Sequence, residues 1–319
     1  MVIFGHNTTS EEVAALFADQ VKGKIVLITG ASPGGLGAQT AIALSRSQPK
    51  LLIIAGRDIS KLLETEKQIK AASADTAVRP LVLDLSSLKQ VRKAAAEVNG
   101  YPESIDVLIN NAGIMASPFS LTEDGFESQF GVNHLGHFLF TNLIMPKILA
   151  AGPGARIVNI SSRGHQFEGI RFDDYNFENG RDYNKWKGYG QSKTANILFS
   201  LALAEKLKSK GLLAYSVYPG GIATNLARHL TPEDVKALGW WDENGKAVDN
   251  DLFKWKTVSQ GASTQIVAAF SPDIVDQNGA YLKDCNVDME AVAPYAKDTA
   301  LAMKLWTLSE DLVGEKFNF

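Results

Sequence analysis

The chain has 319 residues, 45% of them hydrophobic and 21% charged, an ordinary globular balance. A net charge of -3 and a pI near 6.0 supply no basic field for nucleic acid. Cys285 is the one cysteine, which excludes an internal disulfide and a site built from several thiolates.

At the start, residues 1–6 are apolar only briefly and have no basic flank, so no secretory signal is expected. Thr9-Ser10-Glu11-Glu12 has the form of a capping box. Val13, Leu16, Phe17 and Val21 follow as one apolar stripe, so residues 1–22 are expected as an N-terminal helix docked on a sheet. Strands are expected at 24–29, 51–55, 78–83, 105–109, 157–160 and 214–217, and helices at 38–47, 59–72, 88–98, 133–149 and 192–208. Leu62, Leu63, Glu66 and Ile69 carry the helical spacing of the second of these. Apolar β runs separated by helices imply an α/β fold with a parallel sheet covered on both faces. Right-handed crossovers make that sheet doubly wound and Rossmann-like. With no repeat or low-complexity stretch, the whole chain is expected as one dinucleotide-binding domain. Residues 225–256 break the alternation and carry Trp240, Trp241, Phe253 and Trp255 among polar residues. They read either as a substrate-side lid or as surface helices packed on the core. No stretch reaches the roughly 18 apolar residues of a membrane span, so a soluble, cytoplasmic protein is expected.

Thr29-Gly30-Ala31-Ser32-Pro33-Gly34-Gly35-Leu36-Gly37 follows a strand and opens a helix. Glycines let the backbone approach a pyrophosphate, and a helix N-terminus offers amide donors. The second strand ends at Ala55-Gly56-Arg57-Asp58. An arginine there accommodates the 2′-phosphate of NADP, whereas an acidic residue favours the 2′-hydroxyl of NAD. Arg57 can meet phosphate bidentately, and Asp58 suits the N-cap of the next helix. The expected cofactor is therefore NADP(H). Tyr189 and Lys193 share one helix face at four-residue spacing. A nearby ammonium favours the phenolate and lowers the phenol's pKa, so the pair can exchange a proton while hydride moves.

With Leu83-Asp84-Leu85, Asn110-Asn111-Ala112-Gly113, Val132 to Phe138, Val158 to Ser162, Tyr189-Gly190-Gln191-Ser192-Lys193 and Tyr218 to Thr224, the chain resembles the short-chain dehydrogenase/reductase family. The likeness is to its retinol-dehydrogenase-like and fungal reductase branch. The motifs occur in family order over about residues 24–226.

The resemblance implies roles. Tyr189 would be the acid/base. Lys193 would hold the nicotinamide ribose and depress the Tyr189 pKa. Ser162 would bond the substrate oxygen, with Ser161 a structural hydroxyl. Asn133 would orient a water linking Lys193 to solvent. Gly30, Ser32, Gly35, Leu36 and Gly37 would cradle the pyrophosphate. Asp84 and Leu85 would meet adenine, and Asn111, Ala112 and Gly113 would line the adenosine ribose. Pro219, Gly220, Ile222 and Thr224 would border the nicotinamide.

Blander roles stand beside these. Asp84 suits a cap for the helix near Ser86, Asn110 and Asn111 suit a locally bonded turn, and Asn133 suits a helix cap. The glycine loop departs from the family pattern, with four residues rather than three between Gly30 and Gly35. The insert 163–188, rich in aromatics, either walls the substrate pocket or is a packed surface excursion. His134 and His137 read as core or surface histidines rather than metal ligands, and His165 as an exposed loop residue. The expected activity is NADP(H)-dependent reduction of a carbonyl, or oxidation of the matching alcohol, on a hydrophobic small molecule. The alternative is a non-catalytic NADP(H)-sensing regulator, a class that loses the Tyr/Lys pair. A homodimer through the long helices near Asn133 and Tyr189 is allowed.

Overall fold

Strands whose side chains are apolar on both faces must be covered on both faces, and that requirement organises this chain. The computed structural model describes residues 4–239, 242, 248–249 and 254–319. Its strands are β1 (Ile25–Thr29), β2 (Leu51–Gly56), β3 (Val78–Val82), β4 (Val107–Asn110), β5 (Arg156–Ile160), β6 (Leu213–Tyr218), β7 (Gly221–Ile222), β8 (Trp255–Lys256), β9 (Tyr281–Lys283) and β10 (Asn286–Val287). The main sheet runs β10-β9-β6-β5-β4-β1-β2-β3. All its pairings are parallel except that of β10 with β9. β1, β4 and β5 are buried along their whole length. The order reverses between β1 and β4, and a crevice opens there at the strands' carboxyl ends. The doubly wound, Rossmann-like reading holds.

The helix expected at 59–72 is found as Ile59–Ala72, and Asp58 is its N-cap, accepting the Ser60 N–H at 2.9 Å. Thr9 and Glu12 form the expected capping box at the start of Ser10–Leu16. Val13, Phe17 and Val21 are buried in the core on one side of the sheet, together with Ile266, Val267 and Phe270. Leu16 and Leu63 depart from their expected apolar stripes, at 47% and 45% exposed.

The long helix expected at 133–149 is broken. A π-helical turn, Gly131–Leu135, leads into Gly136–Leu143, and a separate helix, Met145–Leu149, follows. Pro146 explains the second break. It has no N–H to give to the preceding turn but fits the first turn of a new helix. The helix expected at 192–208 starts earlier, as Lys185–Lys206, because Asn184 caps it by accepting from Trp186 N and Lys187 N.

The chain after residue 256 contributes elements the sequence patterns left unread. Val258–Phe270 opens on a capping box from Thr257 and Gln260. Thr299–Val313 packs on the long helices, placing Trp306 with its ring centroid 5.1 Å from Phe138 and 6.0 Å from Phe199. Within the long helix Lys185–Lys206, Gly188 to Ser200 are all buried. Among the described residues, no helix is long and apolar enough to cross a membrane.

Gly136 marks the tightest contact between this helical layer and the loop after β3. A Cβ there would lie 2.5 Å from the Leu85 carbonyl oxygen. Gly136→Ala should cost about 1–3 kcal/mol, as overpacking does. The check is a lower urea midpoint with an unchanged m-value; an unshifted midpoint would show that the layer yields.

Candidate active site

The glycine loop is positioned by one buried hydroxyl. Thr29, at the end of β1, accepts the N–H groups of Asn111 at 2.9 Å and Ala112 at 3.0 Å on its Oγ1. With both lone pairs used, its proton goes to His137 Nε2, 2.9 Å away. His137 must then carry its own proton on Nδ1, which donates to the Asn133 carbonyl at 3.1 Å. Asn111 Nδ2 donates to the Thr29 carbonyl at 2.8 Å and the Gly30 carbonyl at 3.3 Å. Asn110 bonds Thr141 at 2.9 Å and Asn159 at 2.8 Å. These side-chain ties are long-range, while the Asn111 backbone N–H also donates locally to the Ile109 carbonyl at 3.0 Å, as a turn there allows.

The extra loop residue is absorbed in a turn. Gly35 N–H donates to the Ser32 carbonyl at 3.1 Å, with Pro33 and a left-handed Gly34 (φ +73°) between them. Gly30 has φ +70°, and a Cβ on it would stand 2.6 Å from Ala112 Cα, so only glycine fits. Gly35 N-caps the helix Leu36–Ser45, and Gly35 and Leu36 both line the crevice.

A cleft of about 1570 Å³ runs along the carboxyl ends of the strands. Its wall includes Gly30, Ser32, Gly35, Leu36, Arg57, Asp84, Leu85, Asn111, Ala112 and Gly113. Ser162, Tyr189, Lys193, Pro219, Gly220, Ile222 and Thr224 line it as well. Of the residues expected to touch a dinucleotide, Gly37 is the exception. It packs against Asn111 and the Gly30 carbonyl, where a Cβ would meet atoms at 2.7 and 2.8 Å, and it lies outside the cleft wall. Asp84 accepts from Ser86 N at 2.9 Å and Ser86 Oγ at 2.6 Å, while the helix after it is capped by Ser87 instead. Gly220, at φ +103°, lies over the Lys256 side chain, which is fully buried and ion-paired with Asp284.

Ser162, Tyr189 and Lys193 meet in the cleft wall. The Ser162 and Tyr189 hydroxyls are hydrogen-bonded to each other. Lys193 Nζ donates to the Ile160 carbonyl at 3.0 Å and lies 5.6 Å from the centre of the Tyr189 ring. Ser161 Oγ donates to the Lys193 carbonyl at 2.8 Å, the structural role expected of it. Asn133 lies behind this group and is fully buried. Its side chain accepts from Ile114 N at 2.8 Å and donates to the Ile114 carbonyl and Ser192 Oγ, both at 2.9 Å. Neither a helix cap nor part of the cleft wall, it positions the neighbouring chain from a π-helical turn, a distortion frequent at functional sites.

The model of the short chain dehydrogenase family matches residues 24–176. Human retinol dehydrogenase 14 is 40% identical over 309 residues, which cover 92% of this chain and 87% of that protein. The short-chain dehydrogenase/reductase prx1 of Penicillium rubens is 37% identical, over 91% of this chain and 85% of its own. A crystal structure of an uncharacterised protein from Mycobacterium paratuberculosis, 33% identical, superposes with a TM-score of 0.69, covering 95% of this chain and 98% of that one. The chain belongs to the short-chain dehydrogenases. It is an oxidoreductase of that family, and its sheet order and cleft are those of the family's fold.

Burial decides the electrostatics of this dehydrogenase. It pushes the Tyr189 phenol up to about 12 against a smaller opposing pull from the Ser162 hydroxyl. It brings the Lys193 ammonium down to about 8. Losing water costs the phenolate more than the Ser162 hydroxyl returns.

The insert 163–188 plays both roles left open for it. Phe167 and Trp186 line the cleft, whereas Phe177 is buried and Tyr175 packs on Phe126 and Phe130. Of the expected lid, Leu226, Ala227, Arg228, Leu238 and Trp255 also line the cleft. Trp240, Trp241 and Phe253 lie outside the described residues. Gly164 was missed as a site residue. A Cβ on it would stand 2.7 Å from the Tyr189 ring, so its small size admits the phenol; no motif spacing signals that. His165, expected on an exposed loop, is fully buried because the segment 291–295 folds over it.

His134 and His137 are buried core residues, and burial brings them down to about 3 and about 4. Below the unfolded value of about 6.5, the unfolded chain takes up protons that the folded chain refuses, so stability must fall as pH drops from 6.5 toward 4. Each histidine contributes about 2 kcal/mol of that loss between pH 6.5 and 5. His134→Gln should flatten the acid slope by one such share in urea titrations at the two pH values. Parallel slopes for the two proteins would contradict it.

Proposed function

We propose that this dehydrogenase uses NADP(H) to reduce a carbonyl group, or oxidise the matching alcohol, on a hydrophobic small molecule. The observation that carries this reading is the hydrogen-bonded Ser162–Tyr189 hydroxyl pair in the wall of a cleft that Arg57 also lines. The wall fits a dinucleotide: amides at the N-terminus of Leu36–Ser45 suit a pyrophosphate, and a guanidinium suits a 2′-phosphate. The bound cofactor would supply the hydride.

The protein's part is to place an oxygen and move a proton. Ser162 and Tyr189 would both direct O–H groups at the substrate oxygen, stabilising the charge that grows there. A phenol with a pKa near 12 is protonated at neutral pH, so Tyr189 is set up as a proton donor in the reducing direction. Lys193, near 8, holds or gives up its proton close to neutrality and would restore the phenol. Asn133 would keep Ile114 and Ser192 in register behind them.

The substrate side is aromatic and apolar, with Met115, Phe119, Phe167, Trp186, Leu226 and Trp255 in its wall. This suits a large apolar carbonyl compound, and retinol, in the name of the human relative, is an apolar alcohol. The proposed location is the cytoplasm, on the sequence alone.

Purified protein mixed with NADPH and a panel of ketones, quinones and apolar aldehydes should consume NADPH absorbance. Tight NADPH binding without turnover of any of them would favour the sensing alternative. Tyr189→Phe should lower kcat by about 10²–10⁴-fold, the usual worth of a positioned acid. Arg57→Ala should cut the preference for NADPH over NADH by about 10-fold or more, since charged hydrogen bonds are worth about 1.5–3 kcal/mol. An unchanged cofactor preference would remove Arg57 from the argument.

A further inference from the structure

Ser162 lies just past the end of β5, where the sheet no longer holds it. The ladder continues as far as Ser161, whose N–H donates to the Val217 carbonyl at 2.7 Å. The Ser162 carbonyl takes two hydrogen bonds, and both come from His165. One is from the His165 backbone N–H at 3.1 Å and the other from Nδ1 at 2.6 Å.

The ring's second nitrogen fixes its proton. Ala293 N–H donates to His165 Nε2 at 3.2 Å, so Nε2 bears no proton in the neutral ring and Nδ1 must be the donor to Ser162. Burial holds the imidazole below its ordinary pKa, which keeps it neutral and lets both bonds coexist. The same segment is tied on three further sides. Tyr295 OH donates to the His165 carbonyl at 2.8 Å, Gln166 Nε2 donates to the Ala291 carbonyl at 3.0 Å, and the Tyr295 ring lies against Gly169. Thr194, one residue after Lys193, shares its hydroxyl proton between the Glu168 carbonyl at 2.8 Å and the His165 carbonyl at 3.0 Å. His165 therefore joins three pieces of chain: the segment 291–295, the Ser162 loop and the helix bearing Tyr189 and Lys193.

We propose that His165 is a positioning residue, a neutral imidazole through which the C-terminal segment 291–295 fixes the Ser162 hydroxyl on Tyr189. This rests on the reading of Ser162 as the hydroxyl that receives the substrate oxygen. His165 stands behind the cleft wall and touches no reacting atom.

Two near-isosteres separate its two bonds. The amide nitrogen of Asn reaches roughly where Nδ1 stands and keeps the donor to Ser162. The amide oxygen of Gln reaches roughly where Nε2 stands and keeps only the acceptor for Ala293. His165→Gln should lower kcat by about 10- to 100-fold, since a misplacement near 1 Å costs that order. His165→Asn keeps the Ser162 bond but loses the one from Ala293, so it should cost less, about 3- to 10-fold, up to one 1.4 kcal/mol step. NADPH affinity should be unchanged in both.

A third variant acts from the far end. Ala293→Pro removes the N–H that Nε2 receives and sets the proline Cδ against the imidazole in its place, at a residue whose φ of -58° proline accepts. It should lower kcat in the same direction while leaving NADPH binding alone. Parent-like kcat in His165→Gln, or equal losses in Gln and Asn tracking a lower melting temperature, would overturn the proposal. Should the parent turn over no carbonyl compound, the functional reading fails separately. Crystal structures then decide this one: the Ser162–Tyr189 contact kept in Asn and lost in Gln supports it, and kept in both refutes it.

Discussion

The burial of one helix governs the chemistry available to this dehydrogenase. Lys185–Lys206 is covered by the sheet, by the loop after β5 and by Thr299–Val313, so Tyr189 and Lys193 are both removed from water. In water the two groups titrate close together, near 10 and 10.4. Removing water disfavours the charged form of each, which moves the phenol up and the amine down. The site therefore rests as a neutral phenol beside an amine that is easily discharged. Positive charge brought next to the phenol opposes the burial and lowers its pKa again. Proton transfer can thus be coupled to events in the cleft without any large movement of the protein.

Such a buried site is expensive unless its polar atoms are paired. The chain meets that condition with a short relay of hydrogen bonds. Thr29 on β1 connects to His137, His137 to the Asn133 carbonyl, and the Asn133 side chain to Ile114 and Ser192. Each link fixes the donor and acceptor roles of the next, so the relay works only with a neutral His137. The same relay joins the glycine loop, the loop after β4 and the helix of Tyr189. The glycine loop and the helix of Tyr189 are thereby set in one frame.

Much of this was legible in the sequence, because strongly periodic segments and family motifs report local constraints. The glycine loop, the Asp58 cap, the Thr9–Glu12 capping box and the Tyr189–Lys193 spacing depend on residues close in the chain. What escaped depends on distant packing. His165 read as a loop histidine because nothing near it in the chain shows that residues 291–295 will bury it. Gly37 read as a cofactor contact because its motif position does not disclose that Asn111 fills the space beside it. The split of 133–149 carried a local signal in Pro146, which the apolar spacing around it outweighed.

The C-terminal part of the chain completes the site. β9 pairs with β6, which brings the segment after β10 behind the Ser162 loop. Lys256, at the far end of the lid region, lies buried beneath Gly220 and pairs with Asp284 at the turn between β9 and β10. The loop carrying Gly220 and the loop carrying Ser162 are therefore both braced by residues from 281–295. A parallel sheet presents its strand ends as separate loops, and each loop alone is free to shift. Tying two of them to one downstream segment converts independent loops into a wall of fixed shape, which positioning two hydroxyls on one oxygen requires.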